Sequence, residues 1–339
     1  MTNSITTSPN PSITFGREPY RVSVEEYIAF RRDGYLVVRG LFTRHDVEEL
    51  LAHTDDLMHG RIEVEGVPPP PPNATVQEME TRLVRIHMLH QKLEIHERYL
   101  LHPRLLDVLE ALIGPDVLAM QTMLFLKGPG AQGQGYHQDS YYIPTFPDSL
   151  CGAWVALDRA DEENGCVRMV AGSQVEPIYP PAAGYGFGNR ELADIEAVSN
   201  VGGAWNDDED ERNGLRPVAS KYAGRETPVV LDPGDAAFFG GHVLHRSLTN
   251  RSATRMRRAF VTHYCNARSF TPWLGGNGEH ILGRGATTLP FAQPRFGTPC
   301  AANRPESSRA DDALKPALMV ASEGGMEAMP AEAAPRQEY

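Results

Sequence analysis

The spacing of apolar positions changes near residue 117. Before it, apolar residues recur at helical intervals. Ser23 and Glu26 form a capping-box pair ahead of Tyr27, Ile28 and Phe30, and Thr43 and Asp46 form another ahead of Val47, Leu50, Leu51 and Leu57. Between these helices the run Tyr35-Leu-Val-Val38 is short enough for a strand. Leu105, Leu106, Val108, Leu109, Leu112 and Ile113 lie on one helical face, and Gly114-Pro115 stops that helix. After residue 117 the pattern becomes short apolar runs punctuated by Gly, Pro and Asp, at 118–127, 151–158, 165–171, 228–232, 235–239 and 256–266. Many short strands behind a helical layer predict a mainly β fold, a barrel or sandwich with flanking helices.

Other segments do not fit this rhythm. The five prolines from Pro68 to Pro72 predict a polyproline linker or surface loop. Residues 175–227 carry several glycines and the acidic run Asp207 to Glu211, and read as a lid-like insertion with a solvated acidic loop. Residues 1–19 and 303–339 are polar or low in aliphatic residues and predict disorder. The expectation is one domain over 20–302, with a helical layer over 20–116 and a β core over 117–302.

Composition narrows the function. At 339 residues the apolar and charged fractions are ordinary for a globular protein. A net charge of −12 argues against nucleic-acid or anionic-membrane partners. No 18-residue apolar run or signal-peptide core is present, so the expected location is cytoplasmic. Cys151, Cys166, Cys265 and Cys300 lack metal-site spacing and read as reduced, buried thiols. The oligomeric state is not legible.

The candidate chemistry begins at Tyr136-His137-Gln138-Asp139. On an extended backbone His137 and Asp139 project to the same side and can reach one ion. With a distant histidine, two imidazoles and one carboxylate form the ligand set of a non-haem Fe(II) site with open positions. His245 is the preferred third ligand and His242 its competitor. A His-x-Asp triplet alone carries little weight in a chain with 12 His. Downstream, Arg251, Arg255, Arg257 and Arg258 offer guanidinium forks suited to a carboxylate. His87, His90, His96 and His102 fall in an expected helical region and read as exposed or structural, and Arg85 reads as an exposed helix charge in preference to a residue that reaches the pocket.

Six ordered segments then resemble one family. They are Asp33 to Phe42, Gln121 to Lys127, the His137 motif, Cys151 to Leu157, Glu163-Asn-Gly-Cys166 with Gly172-Ser173, and His245-Arg-Ser247 with Asn250 and Arg257-Arg-Ala259. Together they resemble the phytanoyl-CoA dioxygenase family of Fe(II)/2-oxoglutarate oxygenases. The resemblance implies a double-stranded β-helix and use of Fe(II), 2-oxoglutarate and O2 on a small-molecule substrate. It implies iron ligands His137, Asp139 and His245. It also implies cosubstrate contacts from Gln121, Met123, Gln138, Trp154, Ser247 and Arg257, with Arg255 a competitor of Arg257. The family often has His where this chain has Gln174. The intact Asp139 disfavours halogenation. Tyr141, Tyr142, Tyr264, Asn266, Arg268 and Trp273 are candidate substrate-facing residues.

Overall fold

The computed structural model describes residues 18–180, 197–199, 201, 205–206, 213–271, 280–287, six positions between 289 and 298, and the segments 318–322 and 325–329. Residues 1–17, Trp273, Cys300 and most of 181–212 lie outside these. The chain divides into two units, 1–300 and 301–339.

Both expected helix starts form. Helix α1 (Val24–Asp33) is capped by Ser23 with Glu26, and α2 (Arg44–Met58) by Thr43 with Asp46, both as reciprocal capping boxes. A third box, Thr75 with Glu78, opens α3 (Val76–Arg82). Helices α4 (Glu94–Leu100) and α5 (Pro103–Ile113) follow, and α6 (Arg216–Ser220) lies in the insertion. The histidine region expected to be helical begins instead as a strand, β2 (Arg85–His87). Its apolar signal is a single buried Ile86, too little to announce a strand. The prolines lie in the loop before α3.

The strands form two antiparallel sheets. The larger runs β1 (Tyr35–Val38), β9 (Ala236–Gly240), β5 (Cys151–Ala156), β11 (Arg257–Asn266), β3 (Val117–Lys127) and β12 (Ile281–Arg284), with β2 also paired to β3. The smaller runs β10 (His245–Ser247), β6 (Val167–Val170) and β8 (Glu226–Pro228). A two-strand pair joins β4 (Gly133–Gln134) to β7 (Trp205–Asn206). This is the double-stranded β-helix architecture with flanking helices, and the sheets do not join into a closed barrel. The strand expected over 228–232 begins and ends earlier. Beyond Pro228 only Leu231 bridges, to Ala160, and the Asp232–Asp235 turn takes over. In the second unit β13 (Leu318–Ser322) and β14 (Gly325–Met329) pair as a hairpin, in the tail whose sequence suggested disorder.

Both faces of the large sheet are buried, so its strands are apolar without simple alternation. One face, with Leu36, Val38, Ala153, Val155, Phe238, Phe260 and Tyr264, packs against apolar residues of α1, α2, α4 and α5. The other face, with Trp154, Ala237, Phe239, Ala259 and Val261, packs against Val167 and Met169 of the small sheet. The site lies on this inner face.

A β-bulge determines what reaches that face. His263 pairs with Gln121 and Tyr264 with Ala119, leaving Met120 without a partner on β11. Before the bulge Leu118 and Met120 share a cluster with Ile143, Leu150 and Cys265. After it Gln121, Met123 and Phe125 line the inner cavity, while Leu124 and Leu126 join the helix-side core. The extra residue re-aims the second half of β3.

Candidate iron and 2-oxoglutarate site

His137 and His245 meet as an isolated antiparallel bridge, each backbone N–H donating to the other's carbonyl at 3.1 Å. Gln138 is extended, and Asp139 opens a short 3-10 turn, Asp139–Tyr141. One extended residue followed by a turn brings both side chains to one point. His137, Asp139 and His245 each offer a ligand atom, and all three atoms lie within 4.8 Å of one another. Asp139 Oδ1 is 3.7 Å from His137 Nε2 and 3.6 Å from His245 Nε2.

The surroundings prepare these atoms for a cation. His137 Nδ1 donates to the Gly135 carbonyl at 2.9 Å and His245 Nδ1 to the Val243 carbonyl at 3.0 Å. The Nε2 lone pairs therefore face Asp139. Burial, reinforced by His245, pushes the His137 pKa down to about 3, so its imidazole is neutral. Burial alone would raise the Asp139 pKa. His245 and the hydrogen bond from His263 outweigh it and hold the carboxyl below its usual range. His263 Nε2 donates to Asp139 Oδ2 at 3.0 Å and so ties down the oxygen turned away from the other two histidines. His242 is not in the cluster. Its Nδ1 donates to the Glu176 carbonyl at 2.8 Å and its Nε2 is 3.7 Å from Asp148. The donor set fits a divalent cation with imidazole and carboxylate preference.

These residues border a cavity of about 320 Å3. Gln121, Met123, Trp154, Ser247 and Arg257 all line it. Gln138 does not. Its amide donates to the carbonyls of Pro177 (3.1 Å) and His242 (2.9 Å), stapling the segment that leads to β10. Ser247 Oγ accepts from the Gln134 N–H at 3.2 Å and from Lys127 Nζ at 3.3 Å.

The two candidate arginines separate cleanly. Arg255 is 38% exposed and paired with Asp161 and Glu163. Arg257 is buried, has no ion pair among the described residues, and leaves its Nε without a partner. Its guanidinium lies 5.2 Å over the Trp154 ring. Burial pushes its pKa down to about 10. A buried guanidinium with nothing to bind is costly unless an anion completes it.

Asn250 and Gly165 belong to the same scaffold. Asn250 Nδ2 donates to the carbonyls of Lys127 and Arg255, tying β3 to the start of β11. Gly165, at φ +73°, packs so tightly that a Cβ would run into the Leu248 carbonyl.

The sequence model of the phytanoyl-CoA dioxygenase (PhyH) family matches residues 30–259. The chain belongs to the phytanoyl-CoA dioxygenase family. As a PhyH-family member with this donor set, it is an oxygenase that uses Fe(II), 2-oxoglutarate and O2. It is 24% identical over 262 residues to phytanoyl-CoA dioxygenase, peroxisomal, of Bos taurus, covering 75% of this chain and 71% of that one. Among solved structures, the non-heme monooxygenase ThoJ in its apo form aligns with TM-score 0.55 and 22% identity, over 79% of this chain and 87% of that one. The epimerase SnoN, in complex with Fe3+, alpha ketoglutarate and nogalamycin RO, aligns with TM-score 0.52 and 20% identity, over 72% of this chain and 84% of that one.

Several cavity residues were not anticipated. His263 lies ten residues before Trp273 in an apolar run and carried no motif of its own. Arg85 and His87 are exposed, as expected from the sequence, but they sit on strand β2 rather than a helix and also line the cavity. Of the expected substrate-facing residues, Tyr142 lines the cavity. Tyr264 falls on the helix side and donates to the Leu100 carbonyl at 2.7 Å. Asn266 donates to the Ile113 carbonyl, and Arg268 is exposed beside Asp116. Gln174 donates to the carbonyls of Arg31 and Arg32 at the end of α1. Cys151, Cys166 and Cys265 are buried and free, and burial pushes each thiol up, to about 12, 11 and 12. Among the described residues no helix is long and apolar enough to cross a membrane.

Proposed function

We propose that this enzyme couples decarboxylation of 2-oxoglutarate, giving succinate and CO2, to hydroxylation of an unactivated C–H bond in a small molecule. The observation that carries this reading is Arg257, a buried guanidinium with no counter-ion among the described residues, which lines the same cavity as His137, Asp139 and His245.

When bound, iron with 2-oxoglutarate and O2 supplies the oxidising chemistry. The chain supplies placement. His137, His245 and Asp139 would hold the metal on one side only, leaving the rest of its surroundings to small molecules. Arg257 would grip the far carboxylate of the keto acid, with Trp154 as the wall beneath the guanidinium and Ser247 close by. Gln121 and Met123 would bound its flank. Phe239, Val167 and Val261 keep water from that end of the cavity. His263 keeps Asp139 oriented and ionised.

The test is succinate formation from 2-oxoglutarate by purified protein with added Fe(II). Wild type forms succinate, slowly even without substrate. Arg257→Ala raises the KM for 2-oxoglutarate at least about a hundredfold, the loss expected for a bidentate charged contact. Full activity in that variant would favour a metalloenzyme that does not use the keto acid. Metal-dependent melting without oxygen consumption would favour a binding protein.

A further inference from the structure

We propose that Lys127, which lies behind the cavity wall, is a positioning residue for the cosubstrate. It fixes the Ser247 hydroxyl as a hydrogen-bond donor to the far carboxylate of 2-oxoglutarate, a role that rests on the reading of Arg257 as the cosubstrate anchor.

The end of β3 faces inward. Gln121, Met123 and Phe125 line the cavity at alternate positions, and Lys127 is the next residue on that side. It is buried, and it is not itself one of the residues that line the cavity. In the ladder between β3 and β11, Lys127 stands directly opposite Arg257. Opposite residues of an antiparallel pair project to the same face, with Cβ atoms roughly 5 Å apart. The two cationic side chains therefore leave neighbouring strands side by side.

Their tips go to different places. Arg257 lines the cavity, with its guanidinium over Trp154. Lys127 Nζ donates to Ser247 Oγ at 3.3 Å and to the Leu248 carbonyl. Gly165 leaves room for that ammonium, since a Cβ there would come within 2.9 Å of Nζ.

The hydrogen-bond count at Ser247 gives Lys127 its use. A serine hydroxyl has one hydrogen and two lone pairs. Ser247 Oγ accepts from the Gln134 N–H at 3.2 Å and from Lys127 Nζ. Neither a backbone N–H nor an ammonium accepts in return. Both lone pairs are taken, and the hydroxyl hydrogen is left for a third partner. Among the described residues none accepts it. Ser247 lines the cavity together with Arg257, and a carboxylate oxygen there is the acceptor that completes it. Without Lys127 the hydroxyl would regain a lone pair and the Leu248 carbonyl would lose a donor, so the hydrogen would no longer be committed to the cavity. With Lys127 in place this end of the cavity offers a guanidinium and a hydroxyl, both as donors, which suits a carboxylate.

The test uses the full chain loaded with Ni(II), so that binding is read without turnover. Calorimetry compares 2-oxoglutarate with 2-oxopentanoate, which keeps the chelating end and carries a methyl group in place of the far carboxylate. Ser247→Ala and Lys127→Met should each weaken 2-oxoglutarate about fivefold or more, the range of one hydrogen bond to a charged group. Both should leave 2-oxopentanoate and Ni(II) itself within about twofold, since neither makes that hydrogen bond. The double variant should lie within about twofold of Ser247→Ala alone, because Lys127 acts through that hydroxyl. Lys127→Gln, whose amide can still donate, should fall between wild type and the Met variant, and it carries the same comparison where the Met variant does not fold. Additive losses overturn the proposal. So does an equal loss for both keto acids or for the metal, and so does unchanged 2-oxoglutarate binding in the Lys127 variants. A wild type that prefers neither keto acid, or an Arg257→Ala variant that binds 2-oxoglutarate as wild type does, sinks the cosubstrate reading instead.

Discussion

The two faces of the large sheet use the same strands for opposite ends. On β11, Phe260 and Tyr264 point to the helices and are fully buried in the apolar core, with the Tyr264 hydroxyl satisfied. Arg257 and His263 alternate with them and point inward, where each keeps a buried nitrogen without a partner among the described residues. The helix side is finished by folding. The inner side is left incomplete, and a ligand must complete it. A face that carries stability and a face that carries chemistry can share a strand because successive residues project oppositely.

Substitutions three positions apart should therefore move stability in opposite directions. Phe260→Ala should cost about 3–5 kcal/mol in denaturant unfolding, the usual loss for a buried aromatic. Arg257→Leu should stabilise the metal-free protein by about 1–3 kcal/mol, because it removes a desolvated charge, while abolishing use of 2-oxoglutarate. If both variants destabilise alike, the contrast between the faces is wrong.

Acid should weaken the helix side. Burial pushes the His102 pKa down to about 4, against its usual 6.5, although Asp46 pulls the other way. The neutral ring is favoured by the fold, so the unfolded chain binds the proton more readily. Stability is then complete above pH 6.5 and falls between pH 6.5 and 4, by roughly 3 kcal/mol for this group. Urea midpoints at pH 7.5 and pH 5 measure the loss, and His102→Asn should flatten the profile. An unchanged slope in that variant would assign the loss elsewhere.

On the inner face, His263→Ala should weaken Fe(II) binding about 10–100-fold, as expected when a group orienting a ligand is lost. His263→Gln, which can still donate to Asp139, should recover part of it. Equal losses in the two variants would mean that His263 only fills space. The smallest effect is expected at Arg255→Ala. Its exposed pairs with Asp161 and Glu163 are worth under about 1 kcal/mol, and the KM for 2-oxoglutarate should stay within about twofold. A large rise in KM would return Arg255 to the site.

Much was legible because it is local. Capping boxes at Ser23 and Thr43 are decided within four residues, and the α5 stripe within three turns. The metal motif was legible because its ordered neighbours each carry a recognisable local pattern. The bulge at Met120 was not, since one skipped residue leaves no mark in an apolar run. It nevertheless turns Gln121, Met123 and Phe125 into the cavity. Strand β2 left as little mark, and with it the cavity-lining position of His87.

From the sequence alone come most of the elements, the three candidate iron ligands and a shortlist of arginines, because periodicity and ligand type depend on residues near in the chain. Only the tertiary structure showed Arg257 buried on the cavity wall with Arg255 exposed in ion pairs, left Gln138 off that wall and brought His263 and His87 to it. Those decisions depend on which side of a strand a residue faces and what lies across the gap, and neither is encoded in any one segment.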